Sequence, residues 1–366
     1  MSTTAVIFGG PSPEHDISIL TGLQCERVLT DAGQDVVPIY WGRTGGWHLV
    51  PNGGEAKDYV DGPPSGAKDV EPRLGAAAGF YAGGGLRGAK KIAVDAVLNC
   101  CHGGPGERGL LNGLLDLMGI PATGGPAGAA ELGMDKLAFG TLLEAHGLPT
   151  LQRRAITPDT KDLPFGGPYI VKPRFGGSSI GIEVVEDLGT ARDLVRAAPA
   201  LRLGAVVEPF VKGAVDLNLG FRTWPHFSSS LLERPLRPED GEIYDYKAKY
   251  LGGAGLVSAP REIPAKVDPA IEAEARELAE TVATLTGIQG LCRVDFLVID
   301  GVLHVNEINT IPGAMGLYLW PNEVSYAELL TGAVAEAVAN KPVFDATGAD
   351  GTALRVAGGI AGKLMR

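Results

Sequence analysis

The chain is organised around the stretch Arg293-Val-Asp-Phe-Leu-Val-Ile-Asp-Gly-Val-Leu-His-Val-Asn-Glu-Ile-Asn-Thr-Ile-Pro-Gly313. Two runs of alternating polar and apolar residues flank Asp300-Gly301, a dipeptide typical of tight hairpin turns. We therefore expect two antiparallel strands. Their pairing would bring Asp295 close to Glu307 and Asn309, which share one face because side chains alternate along a strand.

Three converging oxygen donors without His or Cys suit Mg²⁺ or Mn²⁺, in a half-open site completed by water and nucleotide phosphates. The alternative is an ordinary hairpin with a solvated acidic face. Arg293 on the same face and the turn ending at Gly313 favour the metal site. A cation and a backbone that a ligand can approach closely are what phosphoryl transfer needs.

Arg293-Val-Asp-Phe followed by Asn306-Glu-Ile-Asn-Thr-Ile-Pro-Gly resembles the C-terminal metal-binding signature of the ATP-grasp superfamily, specifically that of the D-alanine:D-alanine ligase family. The resemblance implies that two divalent metal ions on ATP are held by Asp295, Glu307 and Asn309. It also implies that Arg293 stabilises the transferring phosphoryl group and binds substrate, and that the Gly313 backbone faces the reacting carboxyl.

The composition excludes several classes of protein. With 366 residues the chain has room for two or three domains, and its net charge of -11 disfavours nucleic-acid and anionic-membrane partners. The four cysteines lack CxxC spacing and are expected to be buried free thiols. No export signal or membrane span is visible, so we expect a cytoplasmic protein with small-molecule substrates. The sequence leaves the oligomeric state open, and a homodimer is compatible with it.

The N-terminus predicts the start of a βαβ unit, with a strand at 5–8 and a helix at 17–32. Ser12-Pro-Glu-His-Asp-Ile-Ser18 resembles the ligase family's Ser-x-Glu-His-x-x-Ser, which implies that Glu14 binds the amino group of the first amino acid. The alternative is that Glu14 only favours a helix N-terminus. Residues 43–90 predict loops and short elements, or an insertion.

A second strand at 95–101 leads into His102-Gly-Gly-Pro-Gly-Glu-Arg-Gly109 and a helix at 110–118. The family's form is His-Gly-x-x-Gly-Glu-Asp-Gly, so Arg108 replaces an acidic residue next to the expected substrate pocket. His102 is expected to belong to that pocket, although a lone His at the end of a strand is more often structural.

The next unit predicts nucleotide binding. A helix headed by Met134-Asp-Lys136, the strand 169–173 and the Gly/Ser loop 176–181 supply two lysines and free backbone N–H groups, which suit a triphosphate. Their likeness to the family implies that Lys136 and Lys172 contact ATP and that Ser178 positions the acceptor amine.

Two further segments extend the resemblance. Val206–Val211 resembles the strand that reads adenine, through Glu208 and the backbone near Val211, but Val215 stands where the family has a ribose-binding Glu and Asp216 is its possible substitute. Tyr244-Asp-Tyr-Lys-Ala-Lys-Tyr250 resembles the family's Tyr-Asp-Tyr-x-Ala-Lys-Tyr. There Tyr250 would join Glu14 and Ser178, and Lys249 would approach the acceptor carboxylate. The alternative is a surface strand of alternating Tyr and Lys.

Beyond a helix predicted at 269–286, the likeness weakens after Gly313. Tyr318 stands where family members that use D-alanine as acceptor have a Ser that binds the acceptor carboxylate. A phenol can still donate a hydrogen bond but needs more room, so we expect a reshaped acceptor pocket. The tail from Lys341 to Arg366 is Gly-rich and extends past the last expected helix.

We therefore expect an α/β protein with an N-terminal open parallel-sheet domain (1–130), two ATP-grasp subdomains (131–220 and 221–340) and a tail (341–366). The resemblance implies an ATP-dependent carboxylate–amine ligase that acts through an acyl phosphate. D-alanine and peptidoglycan synthesis are its expected substrate and pathway. The alternatives are a ligase of specialised metabolism that joins another amino acid or amine, and a non-catalytic nucleotide-binding regulator.

Overall fold

The computed structural model describes residues 2–83, 88–236, 260–322, 324–357 and 360, to which every structural statement refers. The expected roles of Lys249 and Tyr250 fall on residues outside these ranges and stay predictions. Within the described ranges, no helix is both long and apolar enough to cross a membrane.

The N-terminal sheet is mixed rather than wholly parallel. It contains β1 (Thr3–Gly9), β2 (Asp35–Trp41), β3 (Trp47–Leu49), β4 (Lys68–Arg73), β5 (Gly79–Ala82), β6 (Lys90–Lys91) and β7 (Ala96–Asn99). Their spatial order is β6-β5-β4-β3-β2-β1-β7. The strand β1 pairs in parallel with β2 and β7, as predicted, whereas β3 to β6 extend the sheet with antiparallel pairs. The segment predicted as loops and short elements is thus part of this sheet.

Helices pack beside the strand ends that matter for the site. The first, α1 (His15–Asp31), follows β1 directly, and α2 (Gly104–Glu107) and α3 (Leu110–Met118) follow β7. Since the loops after β1 and β7 leave adjacent parallel strands at the same edge, Glu14 and the segment from His102 to Glu107 are brought to that edge together.

A smaller antiparallel sheet follows. Its strands β8 (Arg154–Ile156), β9 (Tyr169–Pro173), β10 (Glu183–Val185) and β11 (Ala205–Pro209) lie in the order β10-β9-β11-β8. The helices of this part are α4 (Ala127–Met134), α5 (Lys136–Ala145) and α6 (Leu188–Ala197). The carboxylate of Asp135 caps α5 by accepting from the N–H groups of Leu137 and Ala138, which fixes Lys136 at the first position of the helix.

The C-terminal sheet contains the expected hairpin. Its strands are β12 (Val215–Arg222), β13 (Ser228–Pro235), β14 (Arg261–Glu262), β15 (Leu291–Ile299) and β16 (Val302–Asn309), in the order β14-β13-β12-β15-β16. Helices α7 (Pro269–Thr286), α8 (Tyr326–Ala339) and α9 (Thr352–Val356) complete the described chain. Positive φ angles of 50° at Asp300 and 80° at Gly301 are those of the predicted tight turn.

The buried side chains divide unevenly between the sheets. One apolar cluster joins Val6 and Leu98 of the N-terminal sheet to Leu291, Ile311 and Leu330 of the C-terminal part. The central sheet has a cluster of its own, whose fully buried members all lie between residues 156 and 207. The four cysteines are free and buried, as predicted.

Candidate active site

One central cavity lies where the three sheets meet. Its walls include these residues singled out from the sequence: Glu14, His102, Lys136, Lys172, Ser178, Glu208, Val211, Arg293, Asp295, Glu307, Asn309, Gly313 and Tyr318. These side chains come from distant segments of the chain and are brought together by the fold. Asp216, not its neighbour Val215, also lines the cavity, which is the one-residue shift that the sequence suggested for the ribose contact.

Glu14 and Ser178 join the N-terminal edge to the Gly/Ser loop. The Ser178 hydroxyl donates to Glu14 Oε1 at 2.5 Å, and Glu14 is 8% exposed. Ser178 and Ser179 have φ angles of 52° and 59°, in the left-handed region that L residues rarely adopt. A Cβ atom at Gly177 would lie 2.7 Å from Glu14 Oε2, so this close approach requires glycine.

The loop after β7 fixes the end of β16. Nδ1 of His102 donates to the Ile311 carbonyl at 2.8 Å, and Nε2 is 2.8 Å from Thr21 Oγ1. Burial lowers the pKa of His102 to about 4, so the ring is neutral and Nε2 accepts from the Thr21 hydroxyl. Both ring nitrogens are engaged, which makes His102 a positioning residue at the cavity wall.

Glu107 is a second buried carboxyl at this edge. It accepts from the N–H groups of Gly103 at 2.7 Å and Ile311 at 3.2 Å and from the Thr310 hydroxyl at 3.3 Å. Burial, and then the charge of Glu14, raise the pKa of Glu107 to about 7. The cavity therefore has a carboxyl that titrates near neutrality.

The hairpin places its donors as expected. Asp295 stands opposite Glu307 in the β15–β16 register, and Asn309 Nδ2 donates to Asp295 Oδ2 at 3.0 Å. Arg293 donates to both carboxylate oxygens of Asp295, at 2.6 and 2.8 Å. Lys136 Nζ lies 3.0 Å from Glu307 Oε2. The predicted convergence is confirmed.

These donors fit a hard divalent cation. Two carboxylates and one amide supply oxygen atoms alone, the donor set that Mg²⁺ or Mn²⁺ prefers. Among the described residues no group of three or more His, Cys, Asp or Glu side chains could hold a metal ion; the third oxygen donor of this set is the amide of Asn309. In this structure Arg293 pairs with the carboxylate of Asp295, and Lys136 pairs with that of Glu307.

A buried ion cluster lies on the nucleotide side. Lys172 Nζ donates to Glu208 Oε2 at 2.8 Å, and Arg153 Nε is 3.4 Å from Oε1 without hydrogen-bond geometry. Burial opposes ionisation of Glu208, but the charges of Lys172 and Arg153 outweigh it and lower the pKa of Glu208. Oε1 has no hydrogen-bond partner in the described part of the chain, so it can accept from a donor on a ligand.

Arg153 was missed by the sequence analysis. Its side chain is 1% exposed and donates to the carbonyls of Lys136 at 3.1 Å and Asn306 at 2.9 Å, which ties β16 to α5. The local sequence Leu-Gln-Arg-Arg is that of an ordinary polar loop. Only the assembled fold distinguishes this arginine.

The acceptor side holds a second group that the sequence did not indicate. Tyr318 OH lies 3.2 Å from Glu233 Oε2, and Asn218 Nδ2 donates to the same oxygen at 3.0 Å. Arg261 Nη1 is 3.2 Å from Glu233 Oε1, and its guanidinium carbon is 4.8 Å from the centre of the Tyr318 ring. We call Asn218, Glu233, Arg261 and Tyr318 the acceptor-side cluster; all four line the cavity.

Arg108, expected beside the substrate pocket, is engaged with other protein groups. It makes a two-pronged contact with Glu131 on α4, at 3.1 and 2.7 Å, and its guanidinium carbon lies 3.8 Å from the centre of the Phe175 ring. Phe175 immediately precedes the Gly/Ser loop. Arg108, which stands where the family has an acidic residue, thus links the end of α2 to the base of the Gly/Ser loop.

Two family models match nearly the whole described chain. The model "D-ala D-ala ligase N-terminus" matches residues 3–125, and "D-ala D-ala ligase C-terminus" matches residues 132–329. A D-alanine–D-alanine ligase of Mycolicibacterium vanbaalenii is 34% identical over 363 residues, covering 92% of this chain and 96% of its own length. One from an Anaeromyxobacter species is 32% identical over 328 residues, covering 87% and 89%.

Solved structures share the fold. The D-Ala:D-Ser ligase of Enterococcus faecalis superposes with a TM-score of 0.74 at 23% identity, covering 92% of this chain and 99% of that one. The D-alanine–D-alanine ligase from Coxiella burnetii gives the same TM-score and identity, covering 93% and 94%. At this identity the likeness concerns the fold alone.

Proposed function

The chain belongs to the D-alanine–D-alanine ligase family, and we propose that it uses ATP to join the carboxylate of D-alanine to the amine of a second amino acid. Its membership makes it an ATP-grasp enzyme that forms the C–N bond of a dipeptide. One observation carries the substrate proposal. The Glu14–Ser178 pair opens onto the same cavity as Arg293 and the oxygen donors of the hairpin.

In the proposed reaction the donor carboxylate takes the γ-phosphoryl group of ATP, and ADP leaves. The acceptor amine then attacks the carbonyl carbon; a C–N bond forms, the C–O bond to phosphate breaks, and the amine loses a proton. Two divalent ions held by Asp295, Glu307 and Asn309 would neutralise phosphate charge when bound.

The protein groups have distinct proposed tasks. Glu14 binds the donor ammonium and Ser178, with Tyr250, positions the acceptor amine. Arg293 and the Gly313 backbone hold the acyl phosphate. The nucleotide is bound by Lys136, Lys172, Lys249, Glu208 and the Val211 backbone, and closure of the Gly/Ser loop would exclude the water that hydrolyses the intermediate.

We extend the proposal to organisation, pathway and location. The domain limits 1–130, 131–220 and 221–340 are supported in part by the three sheets. The first two sheets lie within the first two ranges, whereas the third begins with β12 (Val215–Arg222), which crosses the limit at 220. A role in peptidoglycan synthesis is supported by the names of the relatives, and a cytoplasmic location by four buried free thiols.

The experiment that tests the function measures ADP release with Mg-ATP and D-alanine and identifies the product by mass. Asp295→Asn removes a proposed metal ligand, and we expect turnover to fall by at least about a hundredfold. Asp300→Asn is the matched control, since it makes the same change at the turn of the same hairpin, where Asn tolerates the left-handed backbone. Full activity of Asp295→Asn would refute the metal assignment.

Tyr318 favours a second candidate, a ligase whose acceptor is not D-alanine. The same assay with a panel of D- and L-amino acids and small amines tests it. ADP release that needs a second, different amine would support this candidate, and Tyr318→Ser should then raise the use of D-alanine. Formation of the D-alanine dipeptide from D-alanine alone would exclude it.

A further inference from the structure

We propose that the guanidinium group of Arg261 binds the carboxylate of the acceptor amino acid, and that Tyr318 and Glu233 are positioning residues for it. This assignment rests on the proposed ligase function. It makes Arg261 a specificity-determining residue for acceptors that carry a free carboxylate.

The phenol of Tyr318 has one proton, and its position is determined. Glu233 is 3% exposed and pairs with Arg261, and a carboxylate in an ion pair can only accept hydrogen bonds. Burial raises the pKa of Tyr318 far above its usual range, so the phenol keeps its proton. Tyr318 therefore donates that proton to Glu233 Oε2 across 3.2 Å.

A ligand near the phenol oxygen meets only lone pairs. A carboxylate also offers only lone pairs, so the two would repel each other rather than form a hydrogen bond. Tyr318 consequently cannot take over the donor task that a serine hydroxyl would perform at this position. Donors for an acceptor carboxylate then come from other side chains: Lys249, by the family resemblance, and, among the described residues, a cation on the same side of the cavity.

Arg261 has the charge and the geometry for that task. It lines the same cavity and lies against the Tyr318 ring, with 4.8 Å between the guanidinium carbon and the ring centre. Its backbone is fixed by the pairing of β14 with β13, in which Arg261 stands opposite Pro235. A guanidinium presents several N–H donors in a planar fork that matches the two oxygens of a carboxylate.

Arg261 is also the cation on the acceptor side of the described cavity wall, where it pairs with Glu233 at 3.2 Å beside Asn218 and Tyr318. Arg293 lies on the metal side, where it donates to both oxygens of Asp295 at 2.6 and 2.8 Å. The remaining described cations of the cavity, Lys136 and Lys172, pair with carboxylates on the metal and nucleotide sides.

A competition experiment tests this assignment. The enzyme receives Mg-ATP, D-alanine as donor, and equal amounts of an acceptor amino acid and its primary amide; the acceptor is D-alanine unless the panel identifies another. The ratio of dipeptide to dipeptide amide is read by mass. Arg261→Gln should lower this ratio between about tenfold and about a hundredfold, the usual effect of losing a charged hydrogen bond. Arg261→Lys should recover part of it.

The matched control is Arg222→Gln. Arg222 also pairs with a carboxylate, Glu328 at 3.0 Å, and also lies over an aromatic ring, that of Trp320, but it is not among the residues that line the cavity. Its ratio should equal that of the wild type. Circular dichroism checks that each variant is folded.

A second readout separates this inference from the proposed function. Hydroxylamine replaces the acceptor, and the D-alanyl hydroxamate reports the acyl phosphate alone. Arg261→Gln should form it at the wild-type rate. Loss of dipeptide and amide in equal proportion, or an equal fall in the ratio for Tyr318→Phe, would overturn the role of Arg261 while leaving the ligase intact. A wild type that forms no hydroxamate would overturn both.

Discussion

Glu107 shows how a single buried carboxyl can make the protein sensitive to pH. Its pKa is raised from 4.5 to about 7, so the folded state binds a proton more tightly than the unfolded state. This stabilisation is complete below about pH 4.5 and is lost as the pH rises through 7. The loss amounts to at most about 3.5 kcal/mol, since one pKa unit corresponds to about 1.4 kcal/mol.

We therefore predict that Glu107→Gln flattens the decline in the free energy of unfolding between pH 5 and pH 8, measured by urea denaturation at a series of pH values. The slope is the relevant quantity, because the amide also faces two backbone donors and lowers stability at every pH. Glu274→Gln, on the exposed face of α7, is the control. An unchanged slope in Glu107→Gln would assign the titration to another group.

The residues that sequence reasoning found and missed differ in one physical respect. Glu14, Ser178 and Asp295 lie in segments whose sequence alone indicates an unusual backbone conformation or an unusual density of charge. Arg153 and Arg261 lie in ordinary polar segments. They gain a role only because distant partners, such as Glu208 and Glu233, are brought to them by tertiary packing, which no local pattern encodes.

At the scale of elements, the β15–β16 hairpin was the most predictable part of the fold. Its register follows from alternation and from a turn whose two residues accept positive φ. The strands β3 to β6 were harder to predict, because they are two to six residues long and lie in Gly- and Pro-rich sequence. Their few core-facing residues, among them Val70 and Phe80, are too far apart to form a periodic signal.

The contact between α2 and the Gly/Ser loop carries an element-scale prediction. Arg108→Ala removes the stacking on Phe175 and the pair with Glu131, so the loop should close less firmly over the acyl phosphate. We expect more ADP to form for each dipeptide, by about twofold or more, because water reaches the intermediate. The measurement is the ratio of ADP to dipeptide in one reaction.

Two further variants serve as controls for the ratio of ADP to dipeptide. Arg108→Lys keeps the charge but not the planar fork, so it should lie between Ala and the wild type. Arg196→Ala breaks an exposed pair with Asp193 on α6 and should have no effect. If Arg108→Ala lowered stability while the ratio stayed at the wild-type value, the contact would be structural and would not act on the loop.

For the whole molecule, the distribution of the apolar clusters indicates which sheets pack together, and it does not follow the order of the domains along the chain. The N-terminal and C-terminal sheets share one apolar cluster, although their strands are far apart in sequence. The central sheet, which carries Lys172 and the base of the Gly/Ser loop, packs largely on its own cluster. We therefore predict that the nucleotide side of the cavity moves against the other two sheets.

Two matched cavity-forming substitutions test this division. Leu330→Ala lies in the shared cluster and Leu201→Ala in the central one; both leucines are at most 2% exposed, so each change should cost about 2–5 kcal/mol. In native-state hydrogen exchange, Leu330→Ala should speed the exchange of β1 and β15 together and affect β9 and β11 less. Leu201→Ala should do the reverse. Equal acceleration of β1 and β9 in the Leu201 variant would mean that the three sheets open as one unit, and closure would then need another origin.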